Sequence, residues 1–179
     1  MSFDLQPSLE NELIRVRPLR AGDFEALYAV ASDPLIWEQH PSRDRYQRPV
    51  FENYFRGAME SRGALLVFDA ARDQIIGCSR YYDLDEANST VAIGYTFIAR
   101  SHWGGGYNRA LKKLMLDHAF RFVDTILFHV GVNNMRSRMA MQKLGATLIG
   151  EVAVAYYGEQ SNQNVIFRLQ REEWQRSQA

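Results

Sequence analysis

Three consecutive glycines, Gly104 to Gly106, stand between a run of β-forming residues and an amphipathic helical pattern. Glycine lets a backbone turn sharply and lets a ligand approach it closely. The free N–H groups of the first helical turn attract negative charge, and the helix dipole adds to this attraction. The expected ligand is therefore a phosphate or a diphosphate, although a glycine cluster at a strand-to-helix turn also occurs as a plain turn.

Two common phosphate-binding patterns do not fit this loop. The sequence has no GxxxxGK[ST] stretch, which excludes a P-loop. The glycines also do not form GxGxxG, and the loop follows three candidate strands that turn-rich segments separate. A dinucleotide-binding fold is therefore disfavoured.

A second polar segment runs from Asn133 to Ala146 and is basic throughout. It contains Arg136, Arg138 and Lys143 and no acidic residue. Asn134 can cap a helix at its N-terminus, and Ser137 follows one turn later. Taken one at a time, Asn134 can be a plain helix cap and the arginines can belong to a solvated basic face. Together with the glycine loop, two helix N-termini that each follow a strand suit a ligand with a diphosphate and a long neutral arm.

Hydrophobic periodicity and turn residues predict the strands and helices that hold these two segments. Predicted strands are Leu13–Leu19, Ala64–Asp69, Ile75–Tyr82, Thr90–Ala99, Thr125–Val132, Thr147–Tyr156 and Val165–Leu169. The first predicted helix begins after a cap at Asp23, and the second spans Phe51 to Met59 and closes near Gly63. The third follows Gly106, the fourth runs from Met135 to Leu144, and Glu172–Arg176 forms one last helical turn. The order βααβββαβαββ predicts a mixed α/β (α+β) fold with a mixed, mostly antiparallel sheet.

The composition disfavours several classes of protein: nucleic-acid binders, disulfide or zinc proteins, and membrane proteins. The chain has 179 residues, of which 46% are hydrophobic, enough for a buried core in a single domain spanning 1–179. The 21 basic residues balance 21 acidic ones, which disfavours a nucleic-acid partner. Cys78 is the single cysteine, so no intrachain disulfide or cysteine-built zinc site is possible, and four scattered histidines indicate no metal site. No apolar run is long enough for a membrane span or a secretory signal, and we expect a cytoplasmic protein.

The two polar segments together resemble the GCN5-related N-acetyltransferase (GNAT) superfamily. The matching stretches are Ile93-Gly94-Tyr95, Trp103-Gly-Gly-Gly-Tyr107, and the Asn134, Ser137, Lys143, Gly145 pattern. The resemblance is greatest to the branch of ribosomal-protein N-terminal acetyltransferases, and the element order agrees from Leu13 to Leu169. It implies the GNAT acyl-CoA N-acyltransferase fold.

The resemblance also implies an acetyl-CoA site. The backbone of Phe97, Ile98 and Ala99 would pair with the pantetheine arm like an added strand. Asn134 would contact the cofactor, and Ser137 would lie near the sulfur, as the two catalytic candidates. The diphosphate would lie on the motif His102, Trp103, Gly104, Gly105, Gly106, Tyr107 and Asn108. Arg100, Arg109 or Arg136 would meet a phosphate, and the sequence does not choose among them.

The sequence departs from the family pattern at both common acid–base positions. Ala92 stands where many members have a glutamate base, and Met141 stands where many have a tyrosine acid. Asn108 also replaces a usual small residue in the diphosphate motif. Three explanations remain open: catalysis mainly by positioning, with water carrying protons and Ser137 protonating the thiolate; a base from another segment; or acyl-CoA binding without fast turnover.

Candidates for acceptor contacts come from the loop between the first two helices and from the second strand of the meander. Assigned to acceptor binding are Trp37, Glu38, His40 and Tyr81. Glu38 and His40 are also the first candidates for a base from another segment, and Tyr81, Tyr82 and Glu151 are further candidates. Specificity is expected in the loops Trp37–Pro49 and Tyr156–Asn164.

The sequence therefore predicts transfer of an acetyl group from acetyl-CoA to a primary amine by direct attack in a ternary complex. The acceptor is a protein N-terminus or a small-molecule amine. Since no base adjoins Cys78 in the sequence, a thiol relay is not expected. The alternative is an acyl-CoA sensor or interaction module with little catalysis, and a homodimer is possible.

Overall fold

The computed structural model describes residues 2–155 and 161–179. Its strands are β1 Leu9–Glu10, β2 Ile14–Pro18, β3 Ala64–Asp69, β4 Gln74–Asp85, β5 Thr90–Ile98, β6 Thr125–Gly131, β7 Thr147–Ala155 and β8 Ser161–Gln170. Its α-helices are α1 Phe24–Ala31, α2 Arg48–Ser61, α3 Tyr107–Ala119, α4 Met135–Lys143 and α5 Arg171–Gln178. Short 3-10 helices cover Ala21–Asp23, Pro34–Trp37 and Arg100–His102.

The described strands form one sheet in the order β1-β2-β3-β4-β5-β6-β8-β7. Among the described strands, β5 and β6 are the parallel pair and the other neighbours are antiparallel. This confirms the predicted mixed, mostly antiparallel sheet. The β5–β6 ladder has three residue pairs and ends at Ala92 and Leu127, so both strands continue past the ladder without pairing to each other.

Helices cover both faces of the sheet. On one face, Leu111, Met115 and Leu116 of α3 pack with Ile93 of β5 and Phe128 of β6. On the other face, the helices α1 and α2 pack on β3, β4 and the end of β5; this core contains Leu27, Phe51, Phe55, Cys78 and Phe97. Within the described residues, no helix is both long and apolar enough to cross a bilayer.

Local geometry differs from the sequence prediction at two helix ends. The left-handed residue that ends α2 is Arg62, with φ of 52°, and not Gly63. Gly63 is needed for another reason, since a Cβ there would lie 2.0 Å from the carbonyl oxygen of Tyr81 on β4. Asp23 does not cap α1 with its side chain; its carboxylate binds the Arg17 guanidinium and the Arg20 amide.

Candidate active site

A cavity of about 740 Å³ opens where β5 and β6 separate. The N-terminal ends of α3 and α4 border it, and the connection between α1 and α2 lines its other side. That connection packs directly on the end of β6, because a Cβ at Gly131 would lie 2.4 Å from Cγ of Pro41. The two polar segments singled out in the sequence therefore face one cavity.

The glycine loop presents its backbone toward this cavity. Gly104 and Gly106 have φ of 74° and 82°, the left-handed region that favours glycine. Gly106 is the N-cap of α3, and the first amide of the helical ladder is that of Ala110, which donates to Gly106. None of the amides from Gly104 to Arg109 has an acceptor among the described residues. These donors at a helix N-terminus fit the diphosphate of a coenzyme A thioester.

Asp69, at the end of β3, holds the two ends of the glycine loop through hydrogen bonds to His102 and Tyr107. Its carboxylate lies 3.0 Å from His102 Nε2, accepts a bond of 3.3 Å from the Tyr107 hydroxyl, and accepts from Arg72 at 2.9 Å. Burial raises the pKa of this carboxyl, but the hydrogen bonds from His102, Arg72 and the amides of Arg72 and Ala71 outweigh it and lower the pKa to about 2. Tyr107 and His102 thus support the loop, and Tyr107 does not line the cavity.

The N-terminus of α4 presents the two predicted catalytic residues. Asn134 is buried, and its Oδ1 accepts from the amide of Ser137 at 3.3 Å, which is the expected helix cap. Both side chains line the cavity. The Ser137 hydroxyl has no hydrogen-bond partner in the described part of the chain and is free to meet a ligand.

The structure separates the three candidate phosphate arginines. Arg100 forms an ion pair with Asp33 and lies outside the cavity lining. Arg109 and Arg136 both line the cavity. The Arg136 guanidinium lies 3.8 Å from the ring centroid of Trp103, which joins α4 to the glycine loop.

The end of β5 forms the wall along which the pantetheine arm is predicted to lie. Phe97 and Ile98 line the cavity, whereas Ala99 does not. The indole Nε1 of Trp103 donates to the Ile98 carbonyl at 2.9 Å, so this carbonyl already holds one donor. Gly104, Gly106 and Asn108 line the cavity beside this wall, and Gly105 does not.

The predicted acceptor residues separate into two groups. Trp37 and His40 line the cavity, although the Trp37 indole N–H is held by the Ala31 carbonyl at 2.8 Å. Glu38 is exposed and outside the lining. Tyr81 was assigned to the wrong face of β4: it is fully buried, and its hydroxyl donates to the Met115 carbonyl at 2.6 Å.

His40 is a constrained imidazole. Its Nδ1 accepts from the Ser42 amide at 2.9 Å. Burial, followed by the charge of Arg45, lowers the pKa of His40 well below its ordinary value. The ring is therefore neutral at neutral pH, with its lone pair already directed at a backbone N–H.

Sequence reasoning missed Lys112, which lies one and a half turns into α3. It is buried, lines the cavity and donates to Thr96 Oγ1 at 2.8 Å. Burial lowers the pKa of its ammonium group to about 7. The signal in the sequence was a lysine between the apolar positions Leu111 and Met115 of the helix.

Two further side chains of the cavity were also missed as a pair. Tyr82 of β4 and His129 of β6 meet across β5, with 2.8 Å between the Tyr82 hydroxyl oxygen and His129 Nδ1. No group of three or more metal-ligating side chains occurs among the described residues. Cys78 is buried in the α1–α2 core, where burial raises the pKa of its thiol.

Comparison with known proteins agrees with this geometry. The family model of the acetyltransferase (GNAT) domain matches residues 14–147, more than half of the chain. No curated protein matches the chain by sequence. Among solved structures, a GCN5-related N-acetyltransferase from Brucella melitensis is 19% identical with a TM-score of 0.81, over 95% of this chain and 81% of that one.

Two further solved structures with a similar fold contain coenzyme A or its disulfide. RimJ from Mycobacterium smegmatis, in complex with CoA-disulfide, is 18% identical with a TM-score of 0.70, over 89% of this chain and 83% of that one. Spermidine N-acetyltransferase from Vibrio cholerae, in complex with CoA and spermine, is 18% identical with a TM-score of 0.67, over 92% of this chain and 99% of that one. The family match, the fold and the paired helix N-termini lead to one conclusion: this chain belongs to the GNAT family of acyl-CoA-dependent N-acetyltransferases.

Proposed function

We propose that this protein transfers an acetyl group from acetyl-CoA to a primary amine by direct attack within a ternary complex. The observation that carries the proposal is a run of amides, Gly104 to Arg109, without an acceptor among the described residues, in a loop whose Gly104, Gly106 and Asn108 line the same cavity as Asn134 and Ser137. One end of the cavity thus fits a diphosphate, and another offers hydroxyl and amide groups to a reacting centre. Because the thiol of Cys78, the single cysteine, is buried outside the cavity lining, it is not available to form a covalent acyl-enzyme intermediate.

Acetyl-CoA supplies an activated thioester when it is bound. The amides of the glycine loop hold its diphosphate, and Arg109 and Arg136 add positive charge at that end. The backbone edge at Phe97 and Ile98 orients the arm that leads to the sulfur. Ser137 donates the proton that the departing thiolate needs, and the apolar Met141 lies on the same helix in the cavity wall.

The charge of the cavity bears on the acceptor. Its described lining carries the cationic side chains Arg45, Arg109, Arg136 and Lys143 and no carboxylate, whereas Lys112, with a pKa of about 7, is only partly charged at neutral pH. Such a lining repels a substrate with several ammonium groups, because like charges close together raise each other's energy. The acceptor we propose is therefore a single amine, as in a protein N-terminus or a small monoamine, in preference to a polyamine.

The test is release of free thiol from acetyl-CoA in the presence of a panel of amines. The panel holds peptides with free N-termini, small monoamines and spermidine. We expect release with a peptide or a monoamine and little with spermidine, and none with a Gly106→Trp variant. Tight CoA binding by calorimetry without thiol release from any amine would instead identify an acyl-CoA sensor.

A further inference from the structure

The Tyr82–His129 pair lies across the point where β5 and β6 separate. On β5, Gly94 is two residues past Ala92, and on β6, His129 is two residues past Leu127, the last pair of the parallel ladder. A Cβ at Gly94 would lie 3.1 Å from both Cε1 and the hydroxyl oxygen of Tyr82. Because Gly94 has no side chain, the Tyr82 ring can lie across the backbone of β5 and reach His129.

The pair faces away from α3. Phe128 and Val130 belong to the core beneath α3, and side chains alternate along a strand, so His129 between them points to the opposite face. Val91 and Ile93 of β5 belong to that same core, which puts Ala92 and Gly94 on the face of His129. This is the face that the α1–α2 connection covers, and Tyr82, His129 and His40 all line the cavity there.

His129 differs from the other imidazoles of the cavity because one of its two ring nitrogens makes no hydrogen bond to the described residues. His102 bonds Asp69 and Ser101, and His40 receives the Ser42 amide. His129 bonds Tyr82 through Nδ1, and its Nε2 has no partner among the described residues. An imidazole with one nitrogen fixed and the other open to a cavity is arranged for proton transfer.

The surroundings keep this imidazole uncharged. Burial lowers the pKa of His129, and Asp83 opposes that effect. Titratable and charged groups face it from four elements: Tyr82 and Asp83 from β4, Tyr95 from β5, whose ring centroid lies 5.1 Å from that of Tyr82, His40 and Arg45 from the α1–α2 connection, and Arg168 of β8, which pairs with Leu127. At neutral pH the ring is neutral, which is the form that accepts a proton.

We propose that His129 is the general base of this enzyme, taking a proton from the acceptor ammonium group on Nε2 while Tyr82 holds the ring by accepting a hydrogen bond from Nδ1–H. The inference rests on the proposed acetyl transfer to an amine. His129 is the catalytic residue here, and Tyr82 is a positioning residue.

The step balances without any further reactant. One proton of the ammonium group passes to His129 Nε2 and then to solvent. The amine nitrogen forms a bond to the acetyl carbon as the carbon–sulfur bond breaks. The second proton lost by that nitrogen matches the proton that the sulfur gains by way of Ser137, so the products are an amide, a thiol and one proton.

Replacement of His129 tests the base directly. We expect His129→Gln and His129→Ala to lower kcat about 100-fold, within the usual range for loss of a general base. In the parent, kcat falls as the pH drops through the pKa of His129, which lies below about 6.5, because the protonated ring cannot accept a proton. Both variants lose this acid limb, and added imidazole restores activity to the alanine variant, which has room for it, and not to the glutamine variant.

Neighbouring tyrosines on β4 give a matched control for the positioning role. Tyr82→Phe removes the hydroxyl that holds His129, and we expect a lower kcat, an unchanged KM for acetyl-CoA and a displaced acid limb. Gly94→Ala should have the same effect by pushing the Tyr82 ring aside. Tyr81→Phe removes a hydroxyl that bonds Met115 in the core, so it should lower thermal stability and leave the pH profile of kcat unchanged.

A readout without turnover is nitrogen-15 NMR of the histidine rings in the protein free of ligands. We expect His129 to carry its proton on Nδ1, and Tyr82→Phe but not Tyr81→Phe to change this tautomer distribution. A proton found on Nε2, or His129 variants that retain the parent kcat and acid limb in an active enzyme, would overturn the inference alone. A parent that binds CoA and acetylates no amine would overturn the proposed function and this inference with it.

Discussion

The two ends of the cavity recognise their ligands by different means. The end at the glycine loop uses backbone amides of one continuous segment, Gly104 to Arg109, supported from below by Asp69. The opposite end uses side chains that three separate segments bring together, such as His40, Tyr82 and His129. Backbone recognition depends on local conformation, whereas side-chain recognition depends on how distant elements pack.

This difference has a practical consequence for substitutions. A change in the glycine loop alters the donors themselves and should affect binding of the cofactor first. A change at the other end alters a proton path and should affect turnover first. Variants at the two ends of the cavity test this division, and those with the strongest expected effect come first.

Gly106→Trp should abolish CoA binding, weakening it more than about 100-fold, which corresponds to about 2.7 kcal/mol. The φ of 82° at Gly106 disfavours any side chain, and an indole would cover the amides of the loop. Calorimetry with CoA measures the effect. Gly145→Trp is the matched control, since Gly145 has φ of 86° and lies outside the cavity lining. Equal CoA affinity in the two variants would contradict the assignment of the loop.

Ser137→Ala should lower kcat about 100-fold while CoA affinity stays close to that of the parent, because it removes a proton donor and leaves the Asn134 cap in place. Rapid-mix thiol-release assays and calorimetry measure the two quantities separately. Ser137→Thr keeps a hydroxyl and should retain most of the activity. A kcat for the alanine variant equal to that of the parent would reject the role of Ser137.

Asp69→Asn should weaken CoA binding about tenfold, or about 1.4 kcal/mol, because the loop loses its anionic anchor. The folded pKa of about 2 lies below the unfolded value of about 3.9, so this carboxylate stabilises the fold above that unfolded value. That stabilisation disappears as the pH falls toward about 2. Urea denaturation at several pH values should show the acid-dependent loss in the parent and a smaller one in the variant.

An exposed carboxylate provides the comparison for Asp69. Asp73 pairs with Arg15 at the surface, so Asp73→Asn should change neither CoA affinity nor acid sensitivity. If both variants lose CoA affinity equally, the loop is not held by Asp69.

Cys78→Ala should leave kcat and CoA affinity unchanged, since the thiol lies in the α1–α2 core and outside the cavity. The expected cost is about 1 kcal/mol in the free energy of unfolding, from lost packing. Steady-state kinetics and thermal unfolding measure the two effects. A large loss of kcat in a folded variant would instead support a mechanism in which the Cys78 thiol carries the acetyl group.

Local patterns in the sequence were enough to predict the β5–loop–α3 unit. The glycines at the strand-to-helix turn and the apolar residues at helical spacing belong to one continuous segment that ends with α3 at Ala119, so the prediction needs no contact between distant parts of the chain. The mixed character of the sheet also followed from the order of the predicted elements, and β5 and β6 form its parallel pair. The family assignment depends on these same segments, and it was confirmed.

The acceptor end was harder because its geometry depends on which face each strand residue takes. Tyr81 and Tyr82 are neighbours of the same type, yet one bonds Met115 in the core and the other bonds His129 in the cavity. The period-two alternation of Phe128, His129 and Val130 carried a signal for His129. The distance between β4 and β6 across Gly94 could not be read from the sequence, since it depends on the register of three strands.

The short β5–β6 ladder, with its three residue pairs, has a consequence for the lifetime of the protein. A thioester laid along the free edge of β5 would supply contacts that a neighbouring strand supplies elsewhere in the sheet. Binding to the native state alone adds to the free energy of unfolding, by about 2.7 kcal/mol when the ligand is at 100 times its Kd. Resistance to heat and to proteolysis would then increase with the concentration of either acetyl-CoA or free CoA, since both carry the diphosphate and the arm.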